Sequence, residues 1–241
     1  MSETPETAFV LAAGLGTRMR PLTDRMPKPL VTVAGRALID HVLDRIAAAG
    51  VASAVVNVHY LADQIEAHLA SRVSPRIVIT DERVELLDTG GGAVKAGPLL
   101  GERPFLIHNS DSIWLEGGRS NLQRLFAAFD VARMDGLLLL ADRTASLGYA
   151  GPGDFHLAAD GLLVRREKGE TAPYVFAGVS MASARLLRDA PTGPFSLNWL
   201  WDRALAERRL FGLVLEGMWM HVGDPAAVVA AERCIADAQR R

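Results

Sequence analysis

Apolar positions along the chain alternate between two periods. Residues 8–11 are a short unbroken apolar run, as a strand buried on both faces requires. Leu38, Ile39, Val42, Leu43 and Ile46 then recur at helical spacing, and Gly50 stands where a left-handed residue ends a helix. Residues 54–58 form a β-branched run, residues 61–69 an amphipathic helix and residues 77–80 a third strand. Residues 105–108 make a fourth strand. A helix over 120–134 opens on Ser120 as N-cap, and the continuous apolar run 136–141 predicts a central strand. Strand and helix in alternation predict an α/β fold with a largely parallel sheet and helices on both faces.

The order then changes. Residues 155–157 and 163–165 flank Asp160-Gly161, a hairpin signal. Phe176-Ala177-Gly178 leads into a short strand through Met181. This antiparallel section predicts a small lobe over the sheet, where a second substrate could sit. Helices follow over 182–189 and 196–207. Trp199 and Trp201 cannot share one helix face, so one is core and the other lies near a surface or site. Strands over 211–215 and 218–222 precede a last helix over 225–239, with Asp224 as N-cap and Pro225 as its first residue. The expected organisation is a single domain, 1–241, divided into halves at 135/136.

Composition narrows the partners. Of the 241 residues, 49% are hydrophobic and 22% charged, enough for a sizeable core and too apolar for global disorder. A net charge of −2 gives no bulk attraction to nucleic acid or an anionic membrane. Any anion site must be a local concentration of arginine and lysine. Cys234 is the single cysteine, so no intrachain disulfide can form, which fits a reducing cytoplasm. The amino-terminal MSETPET lacks the basic region of a secretory signal, and no segment reaches the roughly 18 apolar residues of a membrane span. The expectation is a cytoplasmic monomer or small homo-oligomer.

The local concentration is residues 12–30, AAGLGTRMRPLTDRMPKPL, between the first strand and the first helix. Gly14 and Gly16 let backbone N–H groups approach a phosphate. Arg18, Arg20 and Lys28 (the last between Pro27 and Pro29) can neutralise phosphate charge. A dinucleotide fingerprint fails because Met19 takes the third glycine position, and Gly-Lys-Ser/Thr is absent. A plain basic loop competes for the glycines alone. Further on, Gly90, Gly91 and Gly92 follow Leu87-Asp88-Thr89. They read either as a flexible loop or as a slot where a nucleobase lies on bare backbone. Asp111 follows the fourth strand, where an acid points into the ligand crevice of an α/β sheet or caps a turn. Glu167 and Lys168 read by default as a solvated pair at a strand end.

Gly-x-Gly-Thr-Arg at 14–18, Pro21-Leu22-Thr23 and Pro27-Lys28-Pro29 together resemble the opening motif of the sugar-1-phosphate nucleotidyltransferases. The glycine run, Asp111, Glu167-Lys168, Phe176-Ala177-Gly178 and Trp219-x-His221-Val222-Gly223 extend the resemblance over nearly the whole chain. It implies a Rossmann-like, GT-A-like α/β/α fold with a mixed, mainly parallel sheet, and transfer of a nucleotidyl group from a nucleoside triphosphate to a sugar 1-phosphate. It assigns nucleotide contacts to Leu11, Ala12, Ala13, Gly14, Gly16, Thr17, Gly90 and Gly91. Lys28, Arg18 and Asp111 become catalytic, and Asn109, Glu167, Lys168 and Gly178 contact the sugar phosphate. Residues 1–135 become the nucleotide half and 136–241 the sugar-phosphate half. Asp111 would hold Mg²⁺, with Mn²⁺ as an alternative. Members of the family usually place a second acid where this chain has His221, so His221 is the expected second ligand and Asp224 its rival. Among short members the resemblance favours UTP with N-acetylmuramate 1-phosphate. GTP with mannose 1-phosphate, and a non-catalytic sugar-nucleotide-binding subunit, are the alternatives.

Overall fold

The computed structural model describes residues 4–240; residues 1–3, part of the stretch read against a secretory signal, lie outside the described residues. In chain order the elements are β1 (Thr7–Leu11), β2 (Thr32–Val33), β3 (Arg36–Ala37), α1 (Leu38–Ala48), β4 (Ser53–Val58), α2 (Ala62–Leu69) and β5 (Arg76–Asp81). Then come α3 (Asp88–Leu100), β6 (Phe105–Asn109), β7 (Ser112–Glu116), α4 (Asn121–Ala128), β8 (Gly136–Asp142), β9 (Phe155–Leu157) and β10 (Leu163–Arg165). The last are β11 (Tyr174–Ala182), α5 (Leu197–Ala206), β12 (Leu210–Val214), β13 (Gly217–His221) and α6 (Pro225–Gln239).

The unbroken apolar run of β1 has a direct cause. Ala8 and Val10 pack into one hydrophobic cluster, with α1, α2 and α4. Phe9 packs into the opposite one, with α3 and α5. The sheet is therefore covered on both faces, and it is mixed. β6, β1, β4 and β5 run parallel in that order. β11 is antiparallel to both β6 and β8, and β12 runs parallel to β8. The register sets Leu11 opposite both Asn57 and Asn109, so three parallel strands end level at one crevice. A separate small cluster of Met19, Val31, Val33, Leu38, Ile113, Met220, Val222 and Ala231 lies beneath the basic loop.

Several elements differ from the sequence reading. The hairpin β9–β10 extends the sheet through β11 and does not lie over it. α4 ends at Ala128, because Phe129 is extended and the Asp130 carbonyl accepts from Arg133 N and Met134 N in a following turn. Ala182 belongs to β11, and only one tight turn, Ala184–Leu187, follows it. β7 was not anticipated; it pairs with β13. The glycine run is the opening of α3, not a loop. Trp201 is buried and Trp199 is 42% exposed, as their spacing requires. Asp224 caps α6, accepting from Ala227 N at 2.9 Å. Among the described residues, no helix is long and apolar enough to cross a membrane.

Candidate active site

A cavity of about 600 Å³ opens at the carboxyl ends of β1, β4 and β6. The segment from Leu11 to Met19 forms one wall, and Lys28, Asn109 and Asp111 are among the residues that line it further. Leu86, Asp88 and Thr89 line it from the approach to α3.

The basic loop is ordered by short local bonds. Three single turns, Thr17–Met19, Leu22–Asp24 and Lys28–Leu30, follow one another. Met19 is fully buried in the small cluster and anchors Arg18, which stays exposed over the cavity. Gly16 has φ 64, and an added Cβ would lie 3.0 Å from Lys28 Cβ and 3.1 Å from Thr23 Cγ2. Only glycine satisfies both the left-handed backbone and that close approach. Thr23 Oγ1 donates to the Gly16 carbonyl at 2.8 Å, and Tyr60 donates to the Thr23 carbonyl at 2.9 Å.

Lys28 Nζ reaches across and pairs with the Asp111 carboxylate. Burial pushes the Asp111 carboxyl up, but the Lys28 charge and hydrogen bond, helped by His221, outweigh burial and hold it below the usual range. His221 moves the opposite way to its usual partnered state: burial, with Lys28 and Arg18 nearby, pushes the imidazole down against the pull of Asp111 and Asp224. Its ring lies edge-on to Tyr149, with centroids 6.2 Å apart, and beside Trp219 at 5.5 Å. A Cβ added at Gly223 would lie 2.6 Å from His221 Nε2, so the ring sits directly against that glycine.

The donor set tests whether a metal fits. Among the described residues, no three His, Cys, Asp or Glu side chains converge as a cage. Asp224 is committed to its cap. Asp111 offers one carboxylate and His221 one imidazole within its electrostatic reach. Such a set fits a divalent cation that arrives with phosphate oxygens already bound, since those ions take few protein ligands beside a triphosphate.

Of the residues singled out in the sequence, the cavity lining brings together Leu11, Ala12, Ala13, Gly14, Gly16, Thr17, Arg18, Lys28, Asn109 and Asp111. Gly90 and Gly91 lie behind it. Their N–H groups donate to the Phe195 carbonyl at 2.8 and 3.1 Å, and a side chain at either position would strike the 193–195 segment. Gly178 packs on Asn109: an added Cβ would lie 2.8 Å from Asn109 Nδ2. Glu167 and Lys168 stand on an exposed turn outside the lining. His221 is also outside it, though Gly223 beneath its ring is inside. Sequence reasoning missed Asn57, which lines the cavity. Its signal was a lone amide near the end of a strand that is otherwise apolar after Ser53.

The Nucleotidyl transferase family profile matches residues 7–143. N-acetylmuramate alpha-1-phosphate uridylyltransferase of Caulobacter vibrioides is 54% identical over 242 residues, covering 99% of this chain and 100% of that one. A mannose-1-phosphate guanyltransferase of Hypocrea jecorina is 28% identical over 222 residues, covering 90% of this chain and 60% of the other. In fold, the inositol-1-phosphate CTP transferase of T. maritima superimposes with a TM-score of 0.76 at 18% identity, covering 98% of both chains. A cavity walled by a glycine-rich basic loop, a relative matched from end to end and the same fold in a nucleotide-transferring enzyme converge on one statement: the chain is an enzyme of the nucleotidyl transferase family.

Proposed function

We propose that this enzyme joins UTP to N-acetylmuramate 1-phosphate and releases pyrophosphate. Lys28 facing Asp111 in the cavity walled by the Gly14–Arg18 segment is the observation that carries the reaction type, because it sets a cation and an acid together at one cleft large enough for a nucleotide. The full-length relative with that activity supports the choice of substrates; the guanyltransferase alternative has about half that identity and spans only part of its relative.

An oxygen of the sugar phosphate attacks the α-phosphorus. A new phosphorus–oxygen bond forms as the bond to the β-phosphate oxygen breaks. The attacking phosphate is anionic at neutral pH, so no general base is needed, and catalysis rests on positioning and charge. In this reading Gly14, Gly16 and Thr17 offer backbone amides to the triphosphate. Arg18 pairs with the phosphates that leave. Lys28 exchanges Asp111 for the α-phosphate. Leu11, Ala12 and Ala13 bound the nucleoside, and Leu86, Asp88 and Thr89 face it from the opposite wall. Asn109 and Gly178 stand towards the sugar, and Lys168 is the cation proposed for the sugar phosphate. Mg²⁺, with Mn²⁺ as an alternative, supplies charge neutralisation when bound, and Asp111 and His221 would hold it.

Nearly all of the cavity lining comes from residues 1–135, which supports calling that half the nucleotide half and 136–241 the sugar-phosphate half. A single cysteine and a nucleoside triphosphate substrate suit the reducing cytoplasm. Pyrophosphate release should be measured with UTP, GTP, CTP and dTTP against the 1-phosphates of N-acetylmuramate, N-acetylglucosamine, glucose and mannose. The expected maximum is UTP with N-acetylmuramate 1-phosphate. A maximum with GTP and mannose 1-phosphate overturns the substrate pair, and binding without turnover overturns catalysis.

A further inference from the structure

Glu82 is a carboxylate almost wholly removed from water, at 1% exposure, and the mechanism above does not use it. Its hydrogen bonds come from an amide side chain and a backbone N–H. Oε1 accepts from Asn57 Nδ2 at 2.8 Å. Oε2 accepts from Leu87 N at 3.1 Å. The Asn57 amide is itself buried, and its Oδ1 accepts from Ala12 N at 2.7 Å. A continuous chain of bonds thus runs from Ala12, at the start of the phosphate-facing loop, through Asn57 and Glu82 to Leu87. Leu87 is flanked by Leu86 and Asp88, which line the opposite wall.

We infer that Glu82 is a positioning residue that sets the two walls of the nucleotide cleft relative to each other. The inference rests on the proposed nucleotidyl transfer at this cleft. Each oxygen of the Glu82 carboxyl faces an N–H donor and accepts from it. The carboxyl therefore turns the NH₂ of Asn57 towards itself and leaves the amide oxygen for Ala12 N–H. The same carboxylate takes the N–H of Leu87, so one acid orders both walls. Space around it is reserved: a Cβ at Gly92 would lie 2.8 Å from Glu82 Oε1 and 3.0 Å from Asn57 Nδ2. The third glycine of the run accommodates this brace.

The donor count provides the test. In Glu82→Gln, the introduced amide meets two donors, Asn57 Nδ2 and Leu87 N, with only one acceptor atom. Flipping Asn57 moves the conflict to Ala12 N. Every orientation leaves one buried donor facing another. Adding Asn57→Asp restores all three bonds: the introduced carboxylate accepts from Ala12 N and from the introduced amide, whose oxygen accepts from Leu87 N.

Affinity for UTP with MgCl₂ should be measured by calorimetry without sugar, and both KM values by pyrophosphate release. Glu82→Gln should weaken UTP binding roughly tenfold, the scale of one unmade buried hydrogen bond. The KM for the sugar 1-phosphate should stay near its parent value. The Asn57→Asp/Glu82→Gln pair should recover most of the lost affinity. Equal loss for both substrates, an unchanged UTP affinity, or a folded double variant no better than the single one overturns the brace. If Glu82→Gln does not fold, parent-like UTP affinity in the double variant supports the brace and weak affinity overturns it. Where the parent chain binds GTP, CTP or dTTP in place of UTP, the substrate reading fails, and the same variants test the brace with that nucleotide.

Discussion

The two regions assigned to the two substrates are built in opposite ways. The nucleotide side is held by buried bonds between distant segments, Ala12 to Asn57 and Asn57 to Glu82, continued by a part-buried local bond from Leu87 to Glu82. Leu197 N donates to Thr89 Oγ1 at 2.9 Å, which ties that wall to α5 as well. The turn carrying Glu167 and Lys168 is exposed and held mainly by its own neighbours. Arg166 donates to the carbonyls of Glu167 and Glu170, each at 2.9 Å, and to that of Gly153 at 3.0 Å. A preordered wall loses little freedom when ligand binds, whereas a solvated turn must be immobilised. On the proposed assignment, the nucleotide would be recognised by the frame of the fold and the sugar phosphate by a surface segment.

The largest effect should come from the cation in the ordered wall. Lys28→Ala should lower kcat/KM by roughly 10²–10³-fold, the scale of losing one preorganised donor in the transition state. The fold should survive, as judged by circular dichroism, because Pro27 and Pro29 are buried and retain the turn. Near-normal turnover in the folded variant would remove Lys28 from the reaction.

Gly91→Val probes the frame behind the wall. The Gly91 N–H meets the Phe195 carbonyl, and an added side chain would strike the backbone at Gly193. Overpacking of this kind costs about 1–3 kcal/mol. For a chain of this size the thermal midpoint should fall by about 2–4 °C per kcal/mol. Affinities for both substrates should fall together as α3 shifts. Loss of UTP affinity alone, with the midpoint unchanged, would restore the slot for a base and contradict the packing role.

Lys168→Ala sharpens the contrast from the other side. It should raise the KM for the sugar 1-phosphate roughly tenfold, the loss of one charge-assisted hydrogen bond. UTP affinity and the thermal midpoint should hold. An unchanged sugar-phosphate KM would leave the turn as a solvated surface segment.

How much of this was legible depends on where the determinants lie along the chain. β1, α1, β4, α2, β5 and α6 were readable because each carries its own apolar period and stop signals. Gly14 to Lys28 were readable because their chemistry is concentrated within one loop. The glycines at 90–92 misled because helix interiors disfavour glycine, by about 1 kcal/mol each. Here close contacts with Phe195, Gly193, Glu82 and Asn57 override that preference, and those partners are distant in sequence. Glu82 was illegible for the same reason: its side-chain partner Asn57 lies 25 residues away, and an isolated glutamate reads as solvated. β7 escaped because its identity rests on pairing with β13, far along the chain.

An effect of similar size concerns His221, beside Asp111, Tyr149 and Trp219. Its imidazole is pushed below its ordinary value by burial and by Lys28 and Arg18, so it is neutral at pH 7 and keeps a lone pair for a metal. Imidazole is a poor ligand for Mg²⁺ and a workable one for Mn²⁺. The parent enzyme should therefore be at least as active with Mn²⁺ as with Mg²⁺. His221→Asp should move the Mg²⁺/Mn²⁺ activity ratio roughly tenfold towards Mg²⁺, the lower end of what ligand-sphere changes produce, without abolishing turnover. Asp224 provides the control. Its carboxylate accepts from Ala227 N, and asparagine caps a helix about as well as aspartate. Asp224→Asn should therefore leave both the metal ratio and the thermal midpoint near the parent values. If His221→Asp leaves the ratio unchanged while Asp224→Asn abolishes metal-dependent turnover, Asp224 must leave its cap to bind the metal.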